Sequence, residues 1–115
     1  MTYDPAVWDT VKVPFPYTDR PTRQRRPALV VARVGTLTWV LMITSAENRG
    51  WPDDVEVSDL GHAGLPVASV IRPAKIATID ARDVEALGKL AEDNQQAISR
   101  ALGHILSGAG LKAEP

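Results

Sequence analysis

The chain has 115 residues, a net charge of −1, no cysteine and 44% hydrophobic residues. This length supports one domain, residues 1–115, and leaves no room for a second core. The lack of cysteine excludes disulfides and thiol catalysis, and no apolar run approaches the roughly 20 residues that span a bilayer. The N-terminus lacks the charge and apolar pattern of a signal peptide, so we expect a cytoplasmic protein.

The first half of the chain predicts an edge strand and a hairpin. Apolar residues alternate in "TVKVPFPY" (10–17), where prolines shorten the strand or confine it to a sheet edge. A polar loop, "TDRPTRQRR", follows over residues 18–26. The apolar segments 27–34 and 37–45 are predicted strands, and the intervening "GT" at 35–36 predicts the turn of a hairpin.

The second half predicts shorter strands and a closing helix. We expect a loop at 46–54, a short strand at 55–57, a turn-rich connection at 59–66, and a strand at 68–80 that Pro73 breaks or bulges. A final short strand is expected at 87–90. Ile98, Ala101, Leu102 and Ile105 have the spacing of one helical face, which predicts a helix within 92–108 before a frayed tail at 108–115. The fold class is therefore mainly β with a C-terminal helix, with about five short strands in a small or half-open barrel.

Positive charge is concentrated around the predicted strand at 27–34. Arginines stand at positions 20, 23, 25, 26 and 33, with Asp19 as the one nearby acid. Such a cluster has two interpretations. It can keep an aggregation-prone strand soluble, or it can bind a phosphate through paired hydrogen bonds.

The ordered segments "VKVPFPYTD", "RRPALVV", "LMITS", "GLPVASVIRPAKIATID", "LGKL" and "AISRAL" resemble the MazF/PemK family of type II toxin–antitoxin toxins. The resemblance covers about residues 8–107. It implies a small SH3-like barrel of the MazF/PemK (CcdB-like) type that forms a homodimer. It also implies a ribosome-independent endoribonuclease that cleaves single-stranded RNA at short sequences without metal or cofactor. A cognate antitoxin with a disordered acidic tail would inhibit it.

The resemblance also implies site residues. The arginine of the "RP" motif and the threonine of the "ITS" motif fall on Arg26 and Thr44, which become the predicted catalytic pair. Arginine suits the stabilisation of charge on phosphoryl oxygens, and a threonine hydroxyl can donate a further hydrogen bond. The predicted RNA-binding residues are Asp19, Arg23, Arg25, Ser45, Arg72 and Lys75.

One departure from the family leaves proton transfer unassigned. Some relatives have an aspartate two residues after the arginine that matches Arg72, and this chain has Ala74 there. Asp19 is a candidate acid or base, and Lys75 a candidate for electrostatic assistance. His62 and His104 match no catalytic position of the family, although histidine is the side chain best suited to proton transfer near neutral pH.

Several side chains have more than one interpretation. Arg72 can contact RNA or pair with an acid such as Asp80 or Glu56. Trp39 belongs to the core or to a dimer surface. Trp51 can stack on a base, anchor an antitoxin segment, or serve as a buried anchor of its own loop.

The sequence thus supports three functional hypotheses. The first is a toxin that cleaves single-stranded mRNA, with the loops 17–26 and 46–54 selecting the bases. The second is a non-catalytic RNA- or protein-binding module of the same fold, favoured by Ala74. The third is a toxin directed at transfer or ribosomal RNA.

Overall fold

A computed structural model describes residues 3–15 and 24–108 of the chain. Within these residues, six strands form one antiparallel sheet in the order β4–β5–β3–β2–β1–β6. The strands are β1 (Asp9–Val13), β2 (Arg26–Val34), β3 (Leu37–Ser45), β4 (Val55–Glu56), β5 (Ser69–Asp80) and β6 (Glu85–Lys89). The helices are α1 (Leu60–Ala63) and α2 (Glu92–Gly108). The mainly β fold class with a C-terminal helix is confirmed.

The predicted hairpin forms the centre of the sheet. β2 and β3 pair from Val34↔Leu37 at the turn to Ala28↔Met42. The turn needs a residue with positive φ, and Gly35 supplies it at φ 59°. β3 covers residues 37–45 as predicted, because its apolar run continues without interruption to the polar Thr44 and Ser45.

β5 contains the irregularity predicted at Pro73. In the ladder with β3, Met42 pairs with Arg72 while Leu41 pairs with Ile76, so residues 73–75 have no counterpart on β3. Proline has no N–H to give to the ladder, and a bulge accommodates it. Ala74 is exposed on this bulge.

Each face of the sheet carries a buried apolar cluster. One face carries a cluster of mostly small and branched side chains: Val11, Val13, Phe15, Ala28, Val30, Val40, Met42, Ala77, Ile79 and Val84. The other face packs against α1 and α2 through Leu29, Leu41, Ile43, Ala63, Leu65, Ile71, Leu90 and Ile98. Ile98 and Ala101 are the buried members of the predicted apolar face of α2, which therefore points to the sheet.

Three sequence predictions differ from the structure. The sheet has six strands where about five were expected, and its central strands reach 9 to 12 residues. The connection predicted as turn-rich contains α1, because the Asp59 side chain accepts a hydrogen bond from the His62 N–H and starts a helical turn. Gly64 ends that helix at φ 70°, where a Cβ would meet the Leu87 carbonyl oxygen.

Trp39 lies on an exposed part of the sheet. Its side chain is 45% exposed and pairs in register with Thr78 of β5. The interpretation of Trp39 as a core residue is therefore wrong, and its place on a dimer surface stays a prediction. Neither of the two described helices has the length and apolar character needed to cross a membrane.

Candidate functional site

The two predicted catalytic residues meet where the central strands end. Ala28 pairs with Met42, and the same register continued by two residues places Arg26 opposite Thr44. Residues two positions apart on a strand point to the same face of the sheet, so Arg26 and Thr44 lie on the same face as Ala28 and Met42. The side chains of Arg26 and Thr44 line one groove of about 320 Å³, which Ser45 also lines.

The rest of the groove comes from two loops. Glu47 and Asn48 belong to a single 3-10 turn, Ala46–Asn48, that follows β3 directly. Leu65, Pro66 and Val67 lie between α1 and β5 and form an apolar wall. Among the described residues that line the groove, Arg26 and Glu47 carry the charge. The groove therefore combines one cation, one carboxylate, hydroxyl groups and an amide beside an apolar surface.

Thr44 is hydrogen-bonded within the groove. The side-chain amide of Asn48 donates to Thr44 Oγ1 at 3.1 Å. A threonine hydroxyl has one hydrogen to donate and two lone pairs to accept with. Because Asn48 uses a lone pair, the hydroxyl hydrogen of Thr44 is left for another acceptor.

Arg72 lies behind the groove in a buried ion pair. Its Nε and Nη2 donate to the two carboxylate oxygens of Asp54 at 3.1 and 3.0 Å, and both side chains are less than a tenth exposed. Its Nη2 also donates to the carbonyl oxygen of Asn48 at 2.7 Å. The acids suggested from sequence as partners were wrong, since Asp80 pairs with Arg82 and Glu56 with Arg49. Contact of Arg72 with RNA stays a prediction.

Trp51 covers this ion pair. Its ring lies 4.3 Å from the Arg72 guanidinium carbon, and Lys75 Nζ lies 5.4 Å from the same ring. Trp51 is nevertheless 45% exposed, so its interpretation as a buried anchor is wrong. One part of the ring stacks on a cation, which is a favourable arrangement, and the rest is accessible.

Of the remaining residues predicted to bind RNA, two lie outside the groove and two lie outside the described residues. Arg25 turns away from the groove and donates to the Asp83 carbonyl at 2.7 Å, with Glu85 at 3.4 Å. Lys75 lies beside Trp51 and does not line the groove. Asp19 and Arg23 lie outside the described residues.

Neither histidine lines the groove. His62 is exposed on α1, and His104 Nδ1 lies 3.2 Å from the Asp53 carboxylate. Within residues 3–15 and 24–108, no three His, Asp or Glu side chains come close enough to hold a metal ion.

A larger cavity of about 620 Å³ lies at the opposite, hairpin end of the sheet. Its lining residues are Tyr3, Asp4, Arg33, Thr36, Asp80, Ala81 and Arg82. Each of its two arginines pairs with an acid of the same cavity, Arg33 with Asp4 and Arg82 with Asp80. Its positive charge is thus balanced locally, and it contains none of the predicted catalytic residues.

Tyr3 of this cavity also contacts the buried carboxylate of Asp9. Asp9 accepts hydrogen bonds from the Tyr3 hydroxyl, the Ala6 N–H and Lys89 Nζ. Burial alone raises the pKa of Asp9, but these three donors outweigh it and lower the pKa below its ordinary value. Burial and the Asp9 charge raise the pKa of Tyr3 well above that of a free tyrosine.

Most of the chain resembles a known protein family. Residues 7–106 match the sequence model of a family described as PemK-like, MazF-like toxin of type II toxin–antitoxin system. No curated protein matches the chain.

Solved structures show the same fold. The structure of MazF from Deinococcus radiodurans is 26% identical with a TM-score of 0.73, over 91% of this chain and 98% of that one. A MazE–MazF structure from the same organism is 27% identical with a TM-score of 0.70, over 90% and 96% of the two chains. An endoribonuclease in complex with its cognate antitoxin, from a mycobacterial species, is 18% identical with a TM-score of 0.68, over 96% and 99%. At that identity, the last similarity concerns the fold alone.

Proposed function

Since the chain belongs to the PemK-like, MazF-like toxin family of type II toxin–antitoxin systems, we propose that it is an endoribonuclease that cleaves single-stranded mRNA. The observation that carries this proposal is the meeting of Arg26 and Thr44 in one groove at the ends of β2 and β3. A guanidinium and a hydroxyl donor on one side of a groove are suited to binding a phosphodiester. The apolar wall of residues 65–67 offers a surface for the adjoining base.

The reaction we propose uses the RNA's own nucleophile. The 2′-oxygen attacks the adjacent phosphorus, the bond from phosphorus to the 5′-oxygen breaks, and the products are a 2′,3′-cyclic phosphate and a 5′-hydroxyl. One proton leaves the 2′-oxygen and one is delivered to the 5′-oxygen. Arg26 stabilises the negative charge that builds up on the phosphoryl oxygens, and Thr44 donates a hydrogen bond to the same phosphate.

Glu47 is our candidate acceptor of the 2′-hydroxyl proton. It is the acid among the described groove-lining residues, and its side chain is exposed. The sequence had suggested other positions for the acid or base, namely Asp19 and the position that Ala74 occupies. Ala74 lies on the β5 bulge outside the groove, so its lack of a carboxylate does not remove an acid from this site.

The same groove is our proposed site for a cognate antitoxin. A MazF relative has been crystallised with MazE, and an acidic antitoxin segment carries the charge that complements Arg26. A segment that is disordered when free can fold into the groove and exclude RNA from it. We also propose a homodimer, with Trp39 on its interface.

The test is incubation of the purified protein with a long unstructured RNA in EDTA, followed by mapping of the new ends. We expect cuts at a short shared sequence, with 5′-hydroxyl and 2′,3′-cyclic phosphate ends. Glu47→Gln should lower the rate, because the amide cannot accept the 2′-hydroxyl proton.

Other results would select other functions. Binding of the RNA without cuts would favour the non-catalytic module. Cuts confined to transfer or ribosomal RNA would favour the third hypothesis. Cuts that disappear in EDTA would contradict the metal-independent reaction.

A further inference from the structure

Asn48 connects Thr44 of the groove to the buried Arg72 of β5. Its side-chain amide donates to the Thr44 hydroxyl at 3.1 Å, and its backbone carbonyl accepts from Arg72 Nη2 at 2.7 Å. Asn48 is the last residue of the Ala46–Asn48 turn, which follows β3 without an intervening residue. Asn48 is therefore held by one hydrogen bond at its backbone carbonyl and by another at its side-chain amide.

The contact with Arg72 comes from a buried residue of β5. Arg72 is 5% exposed and binds Asp54 through two parallel hydrogen bonds. The backbone N–H of Trp51 donates to the same Asp54 carboxylate at 3.2 Å, while the Trp51 ring stacks on the guanidinium. A bidentate pair of this kind fixes orientation as well as distance. The loop that carries Asn48 is thus fastened to β5 at both its beginning and its end.

We propose that Asn48 is a positioning residue for RNA cleavage, held by the Arg72–Asp54 pair and acting through the Thr44 hydroxyl. The inference rests on the proposed function of the groove. The Asn48 amide nitrogen donates to Thr44 Oγ1 and therefore does not accept the hydroxyl hydrogen of Thr44. The hydrogen then points to the phosphate, where Thr44 is needed as a donor. Arg72 takes part through its hydrogen bond to the Asn48 carbonyl oxygen.

Two substitutions of Asn48 test whether its side chain must donate a hydrogen bond to Thr44. Asn48→Ala removes the donor, and we expect kcat to fall about tenfold or more while KM stays within about twofold. Asn48→Asp keeps the shape but accepts the Thr44 hydrogen, so we expect a larger loss at neutral pH. Protonation of the introduced carboxyl restores a donor, so the rate relative to wild type should rise as the pH falls from about 6 to about 4.

A double-mutant cycle tests whether Asn48 acts through Thr44. In a Thr44→Val background the hydroxyl is absent, and Asn48→Ala should then cost less than twofold, roughly within the error of such cycles. Gln96→Ala, on the exposed side of α2, is the matched amide control and should leave the rate unchanged. Equal losses from Asn48→Ala in both backgrounds, or wild-type kcat in both Asn48 variants, would overturn the proposal.

Nuclear magnetic resonance of the free protein keeps this test separate from that of the proposed function. The side-chain amide resonances of Asn48 should shift in Thr44→Val and in Arg72→Lys, and stay in place in Gln96→Ala. If the wild-type protein cleaves no RNA, the proposed function fails while these shifts still decide whether Asn48 holds Thr44. Unchanged resonances in both variants would overturn the arrangement itself.

Discussion

The two ends of the β2–β3 hairpin both bring arginines and acids together, but they do so in different ways. At the hairpin end, the Arg82–Asp80 pair lies on the surface, with the Arg82 side chain 86% exposed. At the groove end, Arg72 and Asp54 are less than a tenth exposed and hold the loop that carries Asn48. Exposed pairs contribute little to stability, whereas a buried pair fixes geometry at a cost in desolvation. The difference indicates that the groove end is built to hold hydroxyl and amide groups in place.

Removing the arginine of each end should separate their functions most clearly. Arg26→Ala is expected to lower the cleavage rate by about 100- to 1000-fold, because a positioned donor to the transition state is lost. Arg33→Ala at the hairpin end is the matched control. It removes the partner of Asp4 and should leave cleavage unchanged. The measurement is the single-turnover rate of each variant, and equal losses in both would abolish the distinction between the two ends.

Breaking an ion pair at each end should affect stability unequally. Asp54→Ala leaves the Arg72 guanidinium buried without its carboxylate, and we expect the free energy of unfolding to fall by about 3–5 kcal/mol. Arg82→Ala disrupts an exposed pair and should change it little. Urea denaturation at pH 7 measures both. A small change in Asp54→Ala would show that the buried pair is not what holds the loop.

The buried Asp9 beside the hairpin-end cavity predicts a smaller, pH-dependent effect. Its pKa is lowered in the folded protein, so its contribution to stability is present above the ordinary aspartate pKa of about 3.9 and is lost as the pH falls through the folded value. Urea denaturation from pH 7 to pH 3 should show this loss, and Asp9→Asn should reduce the slope. An identical slope in Asp9→Asn would assign the acid sensitivity to other carboxylates.

The parts of the fold that sequence could predict depend on local pattern. β3 and α2 were predicted at their observed bounds because each has one uninterrupted apolar period, and the Pro73 bulge followed from a missing N–H. α1 was missed because Gly61 and Gly64 indicate a turn, while the Asp59 cap that favours a helix is a single side chain.

The candidate site was predictable only in part. Arg26, Thr44 and Ser45 could be identified from their motifs, and the structure brings them together. Asn48 and Glu47 were missed because a short turn places them in the groove, and no periodic pattern marks it. Asp54 as the partner of Arg72 depends on the packing of a loop against β5, which residue spacing does not define.

The most direct test is a titration, followed by nuclear magnetic resonance, with a single-stranded oligonucleotide that lacks 2′-hydroxyls and so cannot be cleaved by the proposed reaction. We expect resonance changes at the groove, in Thr44, Ser45, Asn48 and Val67, and none at the hairpin end, in Arg33, Thr36 and Arg82. Changes confined to the hairpin end, with the groove resonances unmoved at saturation, would contradict this expectation.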